Sequence, residues 1–518
     1  MWAAYTMILV GPNSASRWGK KGKAMASELD GQERRIGGRE LGAFAMPILV
    51  RDVVLVNPPM RLEQVYGSFS EWGSISPPTG LCYIAAVLRQ HGYAVSIVDA
   101  EALRIGAEEA VRKIAALKPD LVGIACKTLW VVNAHHVAQK LKEKMPNVPI
   151  VAGGNHVTAL PERSLRDFPA FDIVVVGEGE ITFLELAVAM KAGKDLHKVP
   201  GLAFRDSGGV AITPPRDRIL NLDELPVPAF DLLPDIAKCY KPPLSSVEKV
   251  PAFSLVMSRG CPSKCTFCDR SVFQTRVTRH SPEYAVALIE RLHKDYGIRY
   301  LLFDDDNLLL NKTHLFRLLD LLKASPARMP FTCQSRVDTL DEERLARLKE
   351  AGCRVLLYGI ESGSQEMLNR MKKGITLEQI RKAISMTRKA GIKAAGFFIL
   401  GHPGETEQTM QETVKLIKEC KFFDVAVFLF TPLPGSEVYG NVREYGTFDE
   451  DWEKMNALDE VVFVPHGLTA EKLRHYSDLC YRACYSRLGQ VLSIPGRLTS
   501  MAHVKAVLKS VPKMMFGK

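Results

Sequence analysis

The chain has 518 residues, 47% of them apolar and 24% charged, a globular composition that allows about three folded units at ~150 residues each. No apolar stretch approaches the ~18 residues of a membrane-spanning helix, and the length buries a core without disulfide staples. The net charge of +10 sits at the ends: residues 1–48 carry 7 Lys/Arg against 4 Asp/Glu, residues 479–518 carry 7 Lys/Arg and no acid, and the 430 residues between are neutral. A neutral body argues against the charged channel of a nucleic-acid enzyme, so no nucleic-acid partner is expected.

Met1–Val10 is apolar, but no basic segment precedes it and no small-residue cleavage site closes it, so it does not read as a secretory signal. Residues 11–45 are rich in Gly, Ser, Lys and Arg. Residues 1–48 are therefore expected to be a flexible extension, with Met46 as an alternative start. From residue 50, short apolar runs alternate with helical patterns. The runs are Val53–Asn57, Ala94–Val98, Leu121–Ala125, Pro149–Gly153 and Ile173–Gly177, and the helices fall near 81–91, 107–117, 131–144 and 180–192. Continuous Val/Ile/Leu runs between helices mean parallel strands covered on both faces. The spacing predicts a doubly wound, flavodoxin-like α/β domain over 49–195, with ligands at the carboxyl ends of its strands.

Residues 196–250 carry a hairpin signal at Asp206–Gly209 and then Pro214, Pro215, Pro226, Pro228 and Pro234. That proline density predicts an irregular linking strap. Alternation resumes over 251–445, with strands at Ser254–Ser258, Tyr300–Asp304, Phe331–Ser335, Val355–Gly359, Lys393–Leu400 and Val425–Phe430. Helices fall near 282–296, 312–324, 342–350, 376–390 and 406–420, the first opened by Ser281 and Pro282 as N-cap and N1. Six β-α repeats without a reversal predict a partial (β/α)6 barrel of TIM type, with its chemistry on the loops after the strands. Residues 446–518 are expected to be helical. Val504, Val507, Leu508 and Val511 recur at helical spacing in the basic tail. A terminal helix docked on its own barrel is the expected outcome, and peripheral contact with an anionic membrane is the competing one.

Eight of the eleven cysteines are scattered among apolar neighbours, as expected of a reducing cytoplasm. Cys480 and Cys484, four apart, are expected to be buried. The other three form Cys261-Pro-Ser-Lys-Cys265-Thr-Phe-Cys268, directly after the first strand of the barrel. A structural zinc site wants four closed ligands, usually two C-x2-C pairs. Three thiolates at C-x3-C-x2-C suit three irons of a 4Fe–4S cluster, with the fourth iron open to a chelating ligand. Zinc, or three unrelated buried thiols, is the alternative.

In this motif and those that follow it, the chain resembles the radical S-adenosylmethionine (SAM) enzymes. The resemblance makes Phe267 the aromatic beside the SAM adenine. Phe303-Asp304-Asp305-Asp306-Asn307 stands where the family binds the SAM amino group, with Asp305 favoured and Asp306 beside it. An acidic triplet also suits a helix start. Arg336 is expected to pair the SAM carboxylate, with a surface salt bridge as its ordinary alternative. Gly359-Ile-Glu361-Ser362-Gly363-Ser364 resembles the motif at the SAM ribose and methionine, and Gly401–Thr406 and Thr431–Ser436 follow the next two strands.

The first domain resembles the cobalamin-binding domain of one branch of that family, the branch of the anaerobic magnesium-protoporphyrin monomethyl ester cyclases and the cobalamin-dependent methylases. The segments that carry this are Asn57-Pro-Pro59, Pro77–Leu81, Gly153-Gly154-Asn155-His156-Val157-Thr158, Gly177-Glu178-Gly179-Glu180 and Asn221–Pro228. The Asp-x-His-x-x-Gly motif whose His binds cobalt elsewhere is absent. Cobalamin is therefore expected without a histidine below the cobalt. His156 is the nearest candidate by position, although a lone His in such a turn more often forms hydrogen bonds.

The resemblance implies three cofactors: a 4Fe–4S cluster, SAM and cobalamin. It implies an external one-electron donor of flavodoxin or ferredoxin type, and a small-molecule or lipid-like substrate. The expected activity is radical modification of an unactivated carbon, first as C-methylation. The alternatives are oxygen insertion or cyclisation from water, and a cobalamin sensor or carrier with a vestigial barrel. A methylthiotransferase acting on transfer RNA fits less well, because the chain has the Gly153–Pro161 segment and no visible nucleic-acid-binding barrel.

Overall fold

The computed structural model describes residues 50–67, 70, 73–243 and 246–486. The expected extension 1–48, the alternative start at Met46 and the amphipathic stripe at 504–511 lie outside the described residues.

Five parallel strands open the chain: β1 (Asp52–Asn57), β2 (Ala94–Asp99), β3 (Leu121–Ala125), β4 (Ile150–Gly153) and β5 (Ile173–Val175). They lie in the order β2-β1-β3-β4-β5, the flavodoxin-like order. Val53 to Asn57 are all buried, because helices cover both faces. Helices Thr79–Gln90 and Gly179–Lys191 pack together, as do Ala107–Ala116 and Val131–Lys144. The strand order reverses at β1, so a crevice opens at the carboxyl ends of β1 and β3.

One expectation for the strap is corrected here. Its hairpin is part of the first sheet: β6 (Leu202–Asp206) pairs antiparallel with β5, and β7 (Gly209–Ile212) pairs with β6. The rest of the strap is irregular, with short turns and a few fixed contacts such as Asp223 with the imidazole of His280.

The second sheet begins with β8 (Ala252–Leu255). The chain then makes a short side ribbon of β9 (Ser258–Arg259) and β10 (Thr278–Arg279). β11 (Tyr300–Phe303), β12 (Phe331–Ser335), β13 (Cys353–Glu361), β14 (Lys393–Leu400) and β15 (Asp424–Leu429) follow. β8 and β11 to β15 are parallel and stand in chain order, an open six-stranded partial barrel. Ser281 caps helix Pro282–Tyr296 as its sequence predicts. β13 runs longer than its apolar pattern, with a register shift between Gly359 and Glu361.

The region after 445 is not all helix. β16 (Gly446–Phe448) and β17 (Phe463–Pro465) form an antiparallel pair, and helix Ala470–Tyr485 then packs on helix Glu407–Cys420 and β15. Cys480 and Cys484 are buried in that contact. Among the described residues, no helix is long and apolar enough to cross a membrane.

Candidate active site between two sets of strand ends

The carboxyl ends of both sheets open onto one cavity of about 340 Å³. Asn57, Lys127, Gly153, Gly154 and the Gly177–Glu180 turn line it from the first sheet. Cys261, Cys265, Phe267, Cys268, Asp306, Arg336, Glu361 and Lys373 line it from the second.

The thiol loop leaves the barrel after β9. Gly260, at φ +85°, makes the turn, and a Cβ there would run into the carbonyl of Arg276. The loop is pinned in its middle: Thr266 N–H donates to the Met371 carbonyl at 3.0 Å, and Val438 N–H to the Thr266 carbonyl at 3.1 Å. Phe267 is buried, edge-on to His402. Cys265 is drawn down to about 6, first by a hydrogen bond from Cys268 and then by the positive charges of Lys373 and Arg336. The same hydrogen bond, together with burial, pushes the Cys268 thiol up. A thiolate beside two cations fits a cluster ligand. Among the described residues the side chains form no group of three or more His, Cys, Asp or Glu arranged to hold a metal ion, a four-ligand zinc set and a three-thiol set alike.

At the end of β13, Glu361 has φ +70°, a left-handed backbone that costs a non-glycine residue about 1–3 kcal/mol. The strain turns its carboxylate back over the strand, where it accepts from Lys373 Nζ at 2.7 Å. A Cβ on Gly359 would lie 2.7 Å from Glu361 Oε1 and 2.8 Å from Lys373 Nζ, so the ion pair rests on bare backbone. Burial opposes the charge on Lys373, but Glu361 and Cys265 outweigh it and raise its pKa. No sequence pattern marks Lys373; it belongs to the site through this contact. Arg336 donates to both carboxylate oxygens of Asp338, at 2.9 and 2.8 Å, and to the Lys373 carbonyl at 2.8 Å.

Several expected residues are not brought to the cavity. Asp305 is fully buried, accepting from Met257 N–H at 3.0 Å and the Ser258 hydroxyl at 2.6 Å, and burial pushes it up to about 7. It braces the segment before the thiol loop, while Asp306, one residue on, faces the cavity. Ser362 and Gly363 pack against Thr413 on helix Glu407–Cys420, and Ser364 precedes helix Gln365–Arg370.

In the first sheet, Gly154 has φ +130°, and a Cβ on it would lie 2.6 Å from the Cys126 carbonyl oxygen. A Cβ on Gly177 would meet open space. The Thr158 hydroxyl accepts from Gly177 N–H at 3.1 Å, tying the two glycine turns together from behind. Glu178 and Glu180 point to Arg259. His156 is buried with its ring 4.8 Å from that of Trp452 and does not line the cavity. A bare backbone floor suits a broad, flat ligand such as a corrin. Beside it lies a polar cluster that sequence reasoning missed. Asn57 Nδ2 donates to Asp99 at 2.9 Å and Glu101 at 3.2 Å, and the Tyr240 hydroxyl donates to Asp99 at 2.6 Å. Its members stand as far apart in sequence as Asn57 and Tyr240.

Comparison with known proteins agrees with this geometry. The B12 binding domain model matches residues 69–187 and the radical SAM superfamily model residues 255–417. An uncharacterized methyltransferase of Pyrococcus horikoshii is 34% identical over 446 residues, which cover 85% of this chain and 93% of that one. The anaerobic magnesium-protoporphyrin IX monomethyl ester cyclase of Rubrivivax gelatinosus is 29% identical over 395 residues, covering 74% and 70%. The fold is that of the cobalamin-dependent SAM radical enzyme OxsB, solved with aqua-cobalamin and SAM bound, at a TM-score of 0.68 and 16% identity, covering 93% of this chain and 76% of that one. The cofactors are a 4Fe–4S cluster, SAM and cobalamin. With both domain models matched in this order and the first relative spanned nearly end to end, the chain belongs to the cobalamin-binding branch of the radical SAM enzymes.

Proposed function

We propose that the protein is a cobalamin-dependent radical SAM methyltransferase that places a methyl group on an unactivated carbon of a small or lipid-like molecule. The observation that carries this is a shared cavity, lined on one side by the thiol loop and on the other by the glycine turns. When bound, the cofactors supply an electron, a carbon-centred radical from SAM and a transferable methyl group. The chain supplies the placement. Cys261, Cys265 and Cys268 are the cluster ligands. Arg336 pairs the SAM carboxylate, Asp306 its amino group, and Phe267 stacks near its adenine. Glu361, held by Lys373, accepts from the ribose. Gly153, Gly154, Gly177 and Gly179 form the corrin floor. Leu357, Phe397, Phe428 and Leu433 give the cavity an apolar wall, which excludes water and suits an uncharged part of the substrate. An external donor of flavodoxin or ferredoxin type reduces the cluster.

Methyl transfer is favoured over cyclisation because the methyltransferase relative is covered over 93% of its length and the cyclase over 70%. Anaerobic turnover with methyl-labelled SAM, a one-electron reductant and candidate extracts tests this. A product carrying the label in a carbon-bound methyl is the expected result. Oxygen from labelled water in the product, with no methyl label, would assign the cyclase type of reaction instead.

A further inference from the structure

The thiol loop is fastened to the first sheet on both of its flanks. Before it, Arg259 donates from Nη1 to Glu178 Oε1 at 2.5 Å and from Nη2 to Glu180 Oε1 at 2.8 Å. All three side chains are buried. After it, Asn155 Nδ2 donates to Asp269 Oδ2 at 3.1 Å, and the Ser271 hydroxyl donates to the Asn155 carbonyl at 3.5 Å. Arg259 stands two residues before Cys261, and Asp269 directly follows Cys268. Glu178 and Asn155 belong to the two glycine turns that floor the cavity. The strap adds a third tie. Arg218 donates to Glu178 Oε2 at 3.1 Å and to the carbonyls of Phe273 and Arg276, closing the far end of the loop.

A buried arginine between two carboxylates is a poor source of stability, because desolvation offsets the attraction. Arg259 Nε and Glu180 Oε2 are left without a hydrogen-bond partner, so the network is not built for full satisfaction. What a rigid fork between two fixed carboxylates does provide is direction.

We propose that Arg259, Glu178, Glu180, Asn155 and Asp269 are positioning residues that hold the thiol loop in register with the glycine turns, so that both cofactor sites address the same substrate carbon. This rests on the cavity being the shared cofactor site. Misplacement by about 1 Å is enough to cost such a reaction about a hundredfold.

The test uses the full chain, with and without both cofactors. Asn155→Asp sets two carboxylates against each other, and Asn155→Asp combined with Asp269→Asn restores an amide–carboxylate pair with the donor reversed. Arg259→Lys keeps the charge but loses the fork. Loaded, reduced samples are read by the relaxation that the reduced cluster imposes on the cob(II)alamin EPR signal, which falls steeply with separation. Unloaded samples are read by hydrogen exchange over residues 261–276. In Asn155→Asp and Arg259→Lys the relaxation enhancement is expected to drop and exchange to rise about tenfold, as for one lost charge-assisted hydrogen bond. The double variant restores both readouts. Unchanged relaxation and exchange in Asn155→Asp and Arg259→Lys, with both cofactors loaded, would overturn the proposal. So would loss of cobalamin from Asn155→Asp that the double variant fails to rescue, which would make Asn155 a ligand. A wild-type chain that takes up only one cofactor would overturn the underlying reading of the cavity.

Discussion

The two walls of the cavity solve the same problem with different parts of the chain. The barrel wall presents side chains: three thiols, the Lys373–Glu361 pair, Arg336 and Asp306. The wall of the first sheet presents bare backbone at Gly153, Gly154, Gly177 and Gly179, beside Asn57 and Lys127, and turns Glu178 and Glu180 away into Arg259. A cluster and a small zwitterion are recognised by charge and by metal-ligating atoms, so they need side chains. A broad ring system needs an unobstructed surface, so it needs their absence.

Removing a side chain from the barrel wall should therefore do the most damage. Cys265→Ala is expected to reduce cluster iron from about four per chain to background and to abolish 5′-deoxyadenosine formation. Iron assay and chromatography after anaerobic reconstitution check this, and a variant that still produced 5′-deoxyadenosine would refute the cluster assignment. On the other wall, adding a side chain should be the damaging change. Gly154→Val puts a Cβ 2.6 Å from the Cys126 carbonyl at a φ of +130°. Strain of about 1–3 kcal/mol at this turn should weaken cobalamin binding about 10- to 100-fold. Cluster iron should stay at the wild-type level, and a cobalamin titration followed by absorbance measures the difference.

The smallest effect is expected from exchanging a buried ring on the glycine-turn side. His156→Phe should leave the cob(II)alamin EPR spectrum unchanged, with no imidazole splitting in either protein, because His156 is turned onto Trp452 and away from the cavity. Imidazole splitting in the wild type that disappears in the variant would make His156 the cobalt ligand. Burial pushes His156 down to about 4. The unfolded chain takes up that proton near pH 6.5 and the folded chain does not, so the stability the neutral ring contributes is complete above pH 6.5 and lost as pH falls towards 4. Between pH 7 and pH 5 the wild type should lose about 2 kcal/mol more than the Phe variant in urea denaturation.

Much of this arrangement was legible before the structure. Leu121–Ala125 and Lys393–Leu400 are strands over the residues their apolar runs predict, because strands buried on both faces need continuous apolar sequence. The hairpin of β6 and β7 was visible as a turn but not as part of the first sheet, since its partner β5 is separated from it by a whole helix. Asp305 and Asp306 are adjacent and chemically identical. Only the point at which β11 ends, at Phe303, decides which one turns inward to brace the backbone and which faces the cavity. Lys373 has no local pattern at all; it is recognised by its contact with Glu361.

The sequence by itself determined what is local: the C-x3-C-x2-C spacing, the glycine turns and the alternation that builds both sheets. Each of these follows from bond geometry or burial over a few neighbouring residues. Tertiary structure alone decided which charges face the cavity and which are spent as ties. Arg259 meets Glu178 and Glu180 across 81 and 79 residues, and Asn155 meets Asp269 across 114. A buried charge takes whichever partner packing brings to it, since leaving it unpaired costs more than any local preference can repay.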